Sequence, residues 1–295
     1  MDLGDARINL ASETYVKQSV YSSMAAVSAS LYIYAIILFF VFYIINKYKI
    51  LTFLLFVSSF SNVLFVLSYV GRDGIVFWII SFCLCFLFFK GFMQPCRKKS
   101  ILRIFYILVI VLTMPFILIS ISRFNYDFYY SIISYVGQSL PNFCLYMNIH
   151  NYPVDYGSSF PVVLSVLGKD VSISDSWVIG DTSSWVFGSL FKSFIYNFNL
   201  TNTFIILIFL GLIFYFYFGM VKKVIEFYKI ILYFLYMQVY SQGVFYFVQY
   251  TRSGNYFIII SLFLFFIFWF LDCVISQNKK VILYRVSKSN DYVNE

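Results

Sequence analysis

ILRIFYILVIVLTMPFILISI, residues 101–121, decides the fold. It holds one charged side chain, Arg103, and is otherwise apolar on every side. At about 1.5 Å per residue such a run is some 30 Å long, the thickness of a bilayer's hydrocarbon core. A helix that is apolar all round must be buried in protein or lipid. Six further stretches read the same way, at residues 24–45, 50–70, 75–93, 200–221, 227–249 and 256–275. The sixth span in chain order, 227–249, is the least apolar, with Gln238, Ser241, Gln242 and Gly243 inside it. The whole chain of 295 residues agrees, with 61% hydrophobic and 12% charged residues. Soluble domains carry about 25% charged residues, so an ordinary soluble enzyme is excluded. Disorder is excluded too, because it needs low hydrophobicity. The expected fold is all-α. It is a polytopic integral membrane protein with about seven transmembrane helices. Residues 1–295 are read as one transmembrane domain, interrupted at 122–199 by a long external loop carrying short helices.

The basic residues orient the spans. Lys47 and Lys49 follow the first span, and Lys90, Arg97, Lys98, Lys99 and Arg103 surround the join of the third and fourth. Lys222, Lys223 and Lys229 join the fifth to the sixth, and Lys279, Lys280, Arg285 and Lys288 lie in the tail. The alternate connections hold only Arg72, Arg252 and three basic residues of the long segment. Positive charge stays on the cytoplasmic side, which places the C-terminus in the cytoplasm and the N-terminus outside. The net charge of +8 is therefore mainly a topology signal. Nucleic acid is not an expected partner, because the charge is scattered over membrane-edge loops. The polar stretch of residues 1–23 has no basic start followed by an apolar core, so it is not a secretory signal. It reads as the remnant of an external loop, which implies upstream spans in relatives. The five cysteines include Cys83 and Cys85 as an isolated C-x-C within an apolar run. With no second pair and no neighbouring histidine they are read as small apolar residues and not as metal ligands.

The segment 122–199 is too long for a plain connector. Tyrosines and tryptophans such as Tyr135, Trp177 and Trp185 suit the membrane–water interface and can also stack on sugar rings. It contains the chain's one histidine, His150, and the acids Asp127, Asp155, Asp170, Asp175 and Asp181. No P-loop, dinucleotide fingerprint, zinc-protease motif or nucleophile elbow is present, and no paired-acid motif for a metal–diphosphate. Neither a cofactor nor a metal is expected.

Three arginines sit against the orientation signal, at the outer ends of spans. Arg72 lies in Gly71-Arg72-Asp73-Gly74, Arg123 in Ile121-Ser122-Arg123-Phe124 and Arg252 in Tyr250-Thr251-Arg252-Ser253-Gly254. A guanidinium keeps its charge and grips phosphate with two parallel hydrogen bonds. Arginines recurring at headgroup depth therefore suggest a clamp for a lipid diphosphate. Each alone also fits snorkelling to lipid phosphates, and Arg72 a local pair with Asp73.

The run Gly71-Arg72-Asp73-Gly74-Ile75-Val76-Phe77 resembles the S/G-R-D-G segment of Wzy-type oligosaccharide repeat-unit polymerases of bacterial O-antigen and capsule. Tyr135-Val136-Gly137-Gln138-Ser139-Leu140-Pro141-Asn142-Phe143 is similar to that family's tyrosine-glycine…asparagine-phenylalanine stretch. Trp185-Val186-Phe187-Gly188 through Asn197-Phe198-Asn199 resembles its segment entering the next span. The chain departs from the pattern at Ser189 and Asn197, where an acid is expected, and in its N-terminal length. The resemblance implies a multi-pass bacterial inner-membrane enzyme that polymerises repeat units carried on undecaprenyl diphosphate. Membrane lipid and a chain-length regulator protein would be its partners. Such a transfer needs cationic stabilisation of the departing diphosphate, worth about 3–4 kcal/mol per well-placed donor. Arg72, Arg123 and Arg252 are the candidates for that role. It also needs a base for the acceptor hydroxyl, for which His150, Asp127, Asp155 and Asp181 are candidates. His150 is the group whose ordinary titration falls near neutral pH.

Three alternatives remain at the level of sequence, one of them an inactive or purely scaffolding fragment of an assembly complex. An O-antigen ligase shares the span plan, the long loop and the arginines, but the ligase-type histidine motif is not matched after His150-Asn151. A non-enzymatic polysaccharide flippase or transporter would place charges or breaks within its spans. Only Gln238, Gln242 and Gly243 hint at such a path.

Overall fold

In the computed structural model, residues 20–68, 71–124, 137, 139–148, 160–168, 189–218, 227–244 and 252–275 are described. Every element among them is helical. In chain order they are α1 (Val20–Ser30), α2 (Tyr32–Ile45), α3 (Lys49–Ser58), α4 (Ser61–Leu67) and α5 (Asp73–Phe89). A 3₁₀ turn, Lys90–Phe92, leads to α6 (Pro95–Phe124). Then come α7 (Ser139–Asn148), α8 (Pro161–Val166), α9 (Ser189–Phe218), α10 (Phe227–Gly243) and α11 (Arg252–Ile275).

Among the described residues six segments are long and apolar enough to cross a membrane: Ser23–Ile45, Lys49–Leu67, Asp73–Phe92, Pro95–Ile121, Ser189–Phe216 and Gly254–Val274. The protein is thus an all-α multi-pass membrane protein. The sixth sequence span is the exception. Its described helix, α10, has 17 residues, a length of about 25 Å at the usual rise. The polar group Gln238, Ser241, Gln242 and Gly243 occupies its last turns. The long segment between the fourth and fifth spans carries α7 and α8, the short helices anticipated there.

The chain divides into two compact units. One comprises residues 1–125 with 222–226 and 279–295, the other residues 126–221 with 227–278. In the first unit α2 packs on α3 and α5, and α4 lies between α1 and α5. The core is aromatic. The Phe60 and Trp78 rings stack at 4.6 Å, Trp78 and Phe82 at 5.1 Å, and Phe82 and Phe105 at 5.2 Å. Trp78 has no solvent exposure, and its Nε1–H donates to Ser59 Oγ at 3.1 Å. That bond satisfies the one polar atom of a large apolar side chain. Buried serines are satisfied locally as well. Ser30 donates to the Val27 carbonyl and Ser59 to that of Phe56. Such back-bonds bend helices, and these two sit where α1 gives way to α2 and α3 to α4. At the opposite end, Arg97 Nη1 donates to the carbonyls of Tyr43 and Ile44, 3.1 and 2.8 Å away. These are last-turn carbonyls of α2, which a cation complements.

In the second unit α9 packs on α7 and α10, α10 on α11, and α8 on α11. Its apolar centre is Leu190 and Phe194, against Phe160, Phe198, Val239 and Ile258. Gly243 permits the crossing of α9 and α10, since a Cβ there would stand 2.8 Å from Leu190 Cβ. Helix α9 is broken. Asn199 has φ 61 and ψ 173, a conformation outside the helical region. Its Oδ1 accepts the Asn202 N–H at 3.0 Å, capping the second half of the helix. In both units the outward faces are apolar, as at Ile110, Met114 and Leu118 of α6 and Ile205, Phe209 and Phe216 of α9. Lipid tails are the solvent that suits such faces.

Candidate functional site

The Gly71-Arg72-Asp73-Gly74 turn is built by close packing. The Gly71 N–H donates to the Val66 carbonyl at 2.9 Å, turning the chain at the end of α4. A Cβ on Gly74 would lie 2.7 Å from Val66 Cβ, so only glycine lets α5 begin this close to α4. Asp73 opens α5, where a carboxylate complements the helix dipole. Arg72 is not displayed on the surface; it is 3% exposed. Its Nη1 donates to Ser120 Oγ at 2.6 Å, and its guanidinium carbon stands 5.7 Å from the centre of the Phe116 ring. The Ser120 hydroxyl in turn donates a hydrogen bond to the Phe116 carbonyl at 2.7 Å. These partners all lie near the end of α6, so Arg72 ties the start of α5 to that end. The arrangement fixes a cation at the terminus of two apolar helices, where headgroups lie.

The other sequence candidates divide. Arg123 is the penultimate residue of α6 and Arg252 the first of α11, so both stand at helix ends. His150, Asp127, Asp155 and Asp181 lie outside the described residues. Among the described residues no group of three or more His, Cys, Asp or Glu side chains is placed to hold a metal ion.

The second unit holds buried polar side chains, of which the sequence reading names Asn142, Asn197, Gln238 and Gln242 but not Lys192, Thr203, Asn255 or Ser261. Asn142, Lys192, Asn197, Thr203, Gln238, Gln242, Asn255 and Ser261 are all buried. Lys192 and Arg72 are the buried charged side chains among the described residues. The Phe143 ring of α7 meets the Phe191 ring of α9 at 6.4 Å. Leu190 lies on Gly243, so the first turn of α9 packs on the last turn of α10. Gln238 and Gln242, four residues apart, share a face of α10. Asn255 Oδ1 accepts the N–H of Val162 at 3.3 Å, pinning α8 to the start of α11. An amide side chain offers two donors and an acceptor, and a lysine three donors, so this core is rich in N–H groups.

Residues 139–143 and 189–199 are thereby joined. They lie more than forty residues apart in the chain, yet α7 packs on the first half of α9. The burial of Lys192 and Asn197 was hidden because the hydropathy reading starts the fifth span at residue 200, whereas the helix begins at Ser189. The spacing of Leu190, Phe194 and Phe198 would have revealed it, since residues four apart share a helix face.

Comparison of the chain with family models, with curated proteins and with solved structures gives no match.

Proposed function

We propose that this protein polymerises undecaprenyl-diphosphate-linked oligosaccharide repeat units into a surface polysaccharide, at the outer face of a bacterial inner membrane and with its C-terminus in the cytoplasm. The observation that carries the reading is the meeting of α7 with the first half of α9. The described parts of two of the three segments that resemble repeat-unit polymerases, residues 139–143 and 189–199, belong to these two helices, which carry buried Asn142, Lys192 and Asn197. The third segment holds a buried arginine, Arg72, at the end of a membrane helix.

In the proposed reaction the bond between the donor sugar's anomeric carbon and the diphosphate oxygen breaks. A glycosidic bond forms to the acceptor's hydroxyl oxygen. The hydroxyl proton passes to a base, for which His150, Asp127, Asp155 and Asp181 are the candidates. The electron pair leaves with undecaprenyl diphosphate, whose charge Arg72, Arg123 and Arg252 would stabilise. Membrane lipid surrounds the protein, and a chain-length regulator is the expected protein partner.

Deletion of the gene tests the reading. A surface polysaccharide reduced to a single repeat unit supports a polymerase, and long chains at their normal length sink it. Long polymer left on the lipid carrier would indicate a ligase. A transporter is the second reading, favoured by the break in α9 at Asn199 next to buried polar side chains. Repeat units trapped on the cytoplasmic side of the deletion strain would select it.

A further inference from the structure

We propose that the turn joining α2 to α3 binds an anionic phospholipid, and that a lipid with two phosphates, cardiolipin, fits it best. The phosphates meet Lys47 and Lys49, and the acyl chains run down α3. The site lies in the first unit and is independent of the polymerase reading.

Charge marks this end of the unit. Asn46 closes α2 in the left-handed conformation, φ 58 and ψ 25, and α3 starts at Lys49. Arg97, near the start of α6, is bonded to the Tyr43 and Ile44 carbonyls at the end of α2. The turn after α2 and the turn between α5 and α6 therefore share one end. That end gathers Lys47, Lys49, Lys90, Arg97, Lys98 and Lys99. Residues 14–126 contain one acid, Asp73. It starts α5, and the 17 residues of that helix, about 25 Å, separate it from Lys90. Clusters of lysine and arginine at a membrane edge attract anionic lipid, and basic pockets there take its headgroups.

A groove of about 690 Å³ opens at the turn, lined by Lys47, Tyr48, Lys49, Ile50, Leu51 and Leu54. Ligand sites commonly measure about 300–1,000 Å³. The Lys47 ammonium stands 5.6 Å from the centre of the Tyr48 ring, a cation–π distance that keeps its charge at the groove. Past the lysines the lining turns apolar, and the apolar surface continues down α3 through exposed Phe53, Leu54 and Val57. The segment Lys49–Leu67 is long and apolar enough to cross a membrane, so that surface faces hydrocarbon. A water-soluble acidic partner matches only the lysines. An anionic phospholipid matches the lysines with its head and the apolar wall with its chains.

The test uses the full-length protein purified into nanodiscs of phosphatidylcholine containing cardiolipin, with native mass spectrometry to read the lipid that stays bound. Wild type should retain cardiolipin in preference to phosphatidylcholine. Lys47→Gln combined with Lys49→Gln should weaken retention about thirtyfold. Both side chains are exposed, so the fold should survive. Lys98→Gln combined with Lys99→Gln removes the same charge outside the groove's lining and should cost less than about fivefold. Equal losses in the two double variants would mean diffuse attraction to the basic end and overturn the site. A wild type that holds cardiolipin no better than phosphatidylcholine overturns it too. Leu51→Trp fills the groove without altering its charge and should weaken retention about tenfold. Unchanged retention in that variant, or displacement of cardiolipin by a soluble polyglutamate peptide at equal concentration, would overturn the lipid assignment in favour of an acidic protein.

Discussion

The two units solve the problem of buried polarity in opposite ways. In the first, the buried polar side chains among the described residues are serines and one arginine. Each serine hydroxyl can satisfy itself on its own helix, as Ser30 and Ser59 do three residues back and Ser81 and Ser120 four residues back. Such groups need no ligand and leave a core of stacked rings. In the second, the buried polar side chains are mainly amides and an amine. A side-chain amide has more hydrogen-bonding capacity than one helical turn can absorb. Asn197 donates to the Ser193 carbonyl at 2.6 Å, which uses only one of its donors. The comparison teaches that the first unit is built as a scaffold with one fixed cation at its edge, and the second around groups suited to recognising a polar ligand.

Substitution at Arg72 is expected to have the largest effect, and it tests whether the scaffold's one buried cation takes part in the chemistry. Under the polymerase reading Arg72→Ala should abolish long-chain polysaccharide while the protein remains in the membrane at a normal level. The measurement is the length distribution of the surface glycan beside an immunoblot of the membrane fraction. Normal chain lengths would leave Arg72 a purely structural tie between α5 and α6. Ser120→Ala, which removes the hydroxyl that receives the Arg72 Nη1 bond, should shorten the chains without abolishing them, because the cation remains.

Trp78→Ala comes next. It empties the centre of the stack with Phe60 and Phe82 and removes the N–H that Ser59 Oγ accepts. Loss of a large buried aromatic costs about 3–5 kcal/mol. Thermal unfolding of the detergent-solubilised protein should fall markedly. A variant as stable as wild type would mean that the ring stack is not the scaffold's centre.

The sequence reads as one transmembrane domain and does not show the division into two units. The span plan was largely legible, and the part that was not has a physical cause. Runs such as residues 101–121 and 256–275 announce membrane helices because lipid demands apolar residues on every face. The Gly71–Gly74 turn was legible as a special point, since two glycines bracket an arginine between apolar helices. The burial of Arg72 was not, because its partners Phe116 and Ser120 lie on a helix more than forty residues away. Lys192 and Asn197 read as loop residues for a different reason. A hydropathy window averages over polarity and takes a polar, protein-facing helix end for solvent. Packing against α7 and α10, and not composition, makes that end helical.

The glycine contacts sharpen the comparison at a smaller scale. Gly74→Ala places a methyl 2.7 Å from Val66 Cβ, and Gly243→Ala one 2.8 Å from Leu190 Cβ. Overpacking costs about 1–3 kcal/mol at such sites. Both variants should lower thermal stability.

The smallest effects belong to the break in α9. At φ 61 and ψ 173, Asn199 occupies a backbone region that a residue with a Cβ seldom adopts. It is held by the cap bond from Asn202 and by the Thr203 hydroxyl, which donates to its carbonyl at 2.6 Å. Asn199→Ala removes the cap and keeps the strain, a loss of about 0.5–2 kcal/mol from the cap alone. Asn199→Gly also loses the cap side chain, a few tenths of a kcal/mol at that position by about the usual figure, and relieves the strained φ. Glycine should therefore leave thermal stability near the wild-type value while alanine lowers it. The reverse order would mean that the halves of α9 prefer to be continuous. The first half would then straighten when freed, and the polar core would owe its position to Asn199 and not to packing by α7 and α10.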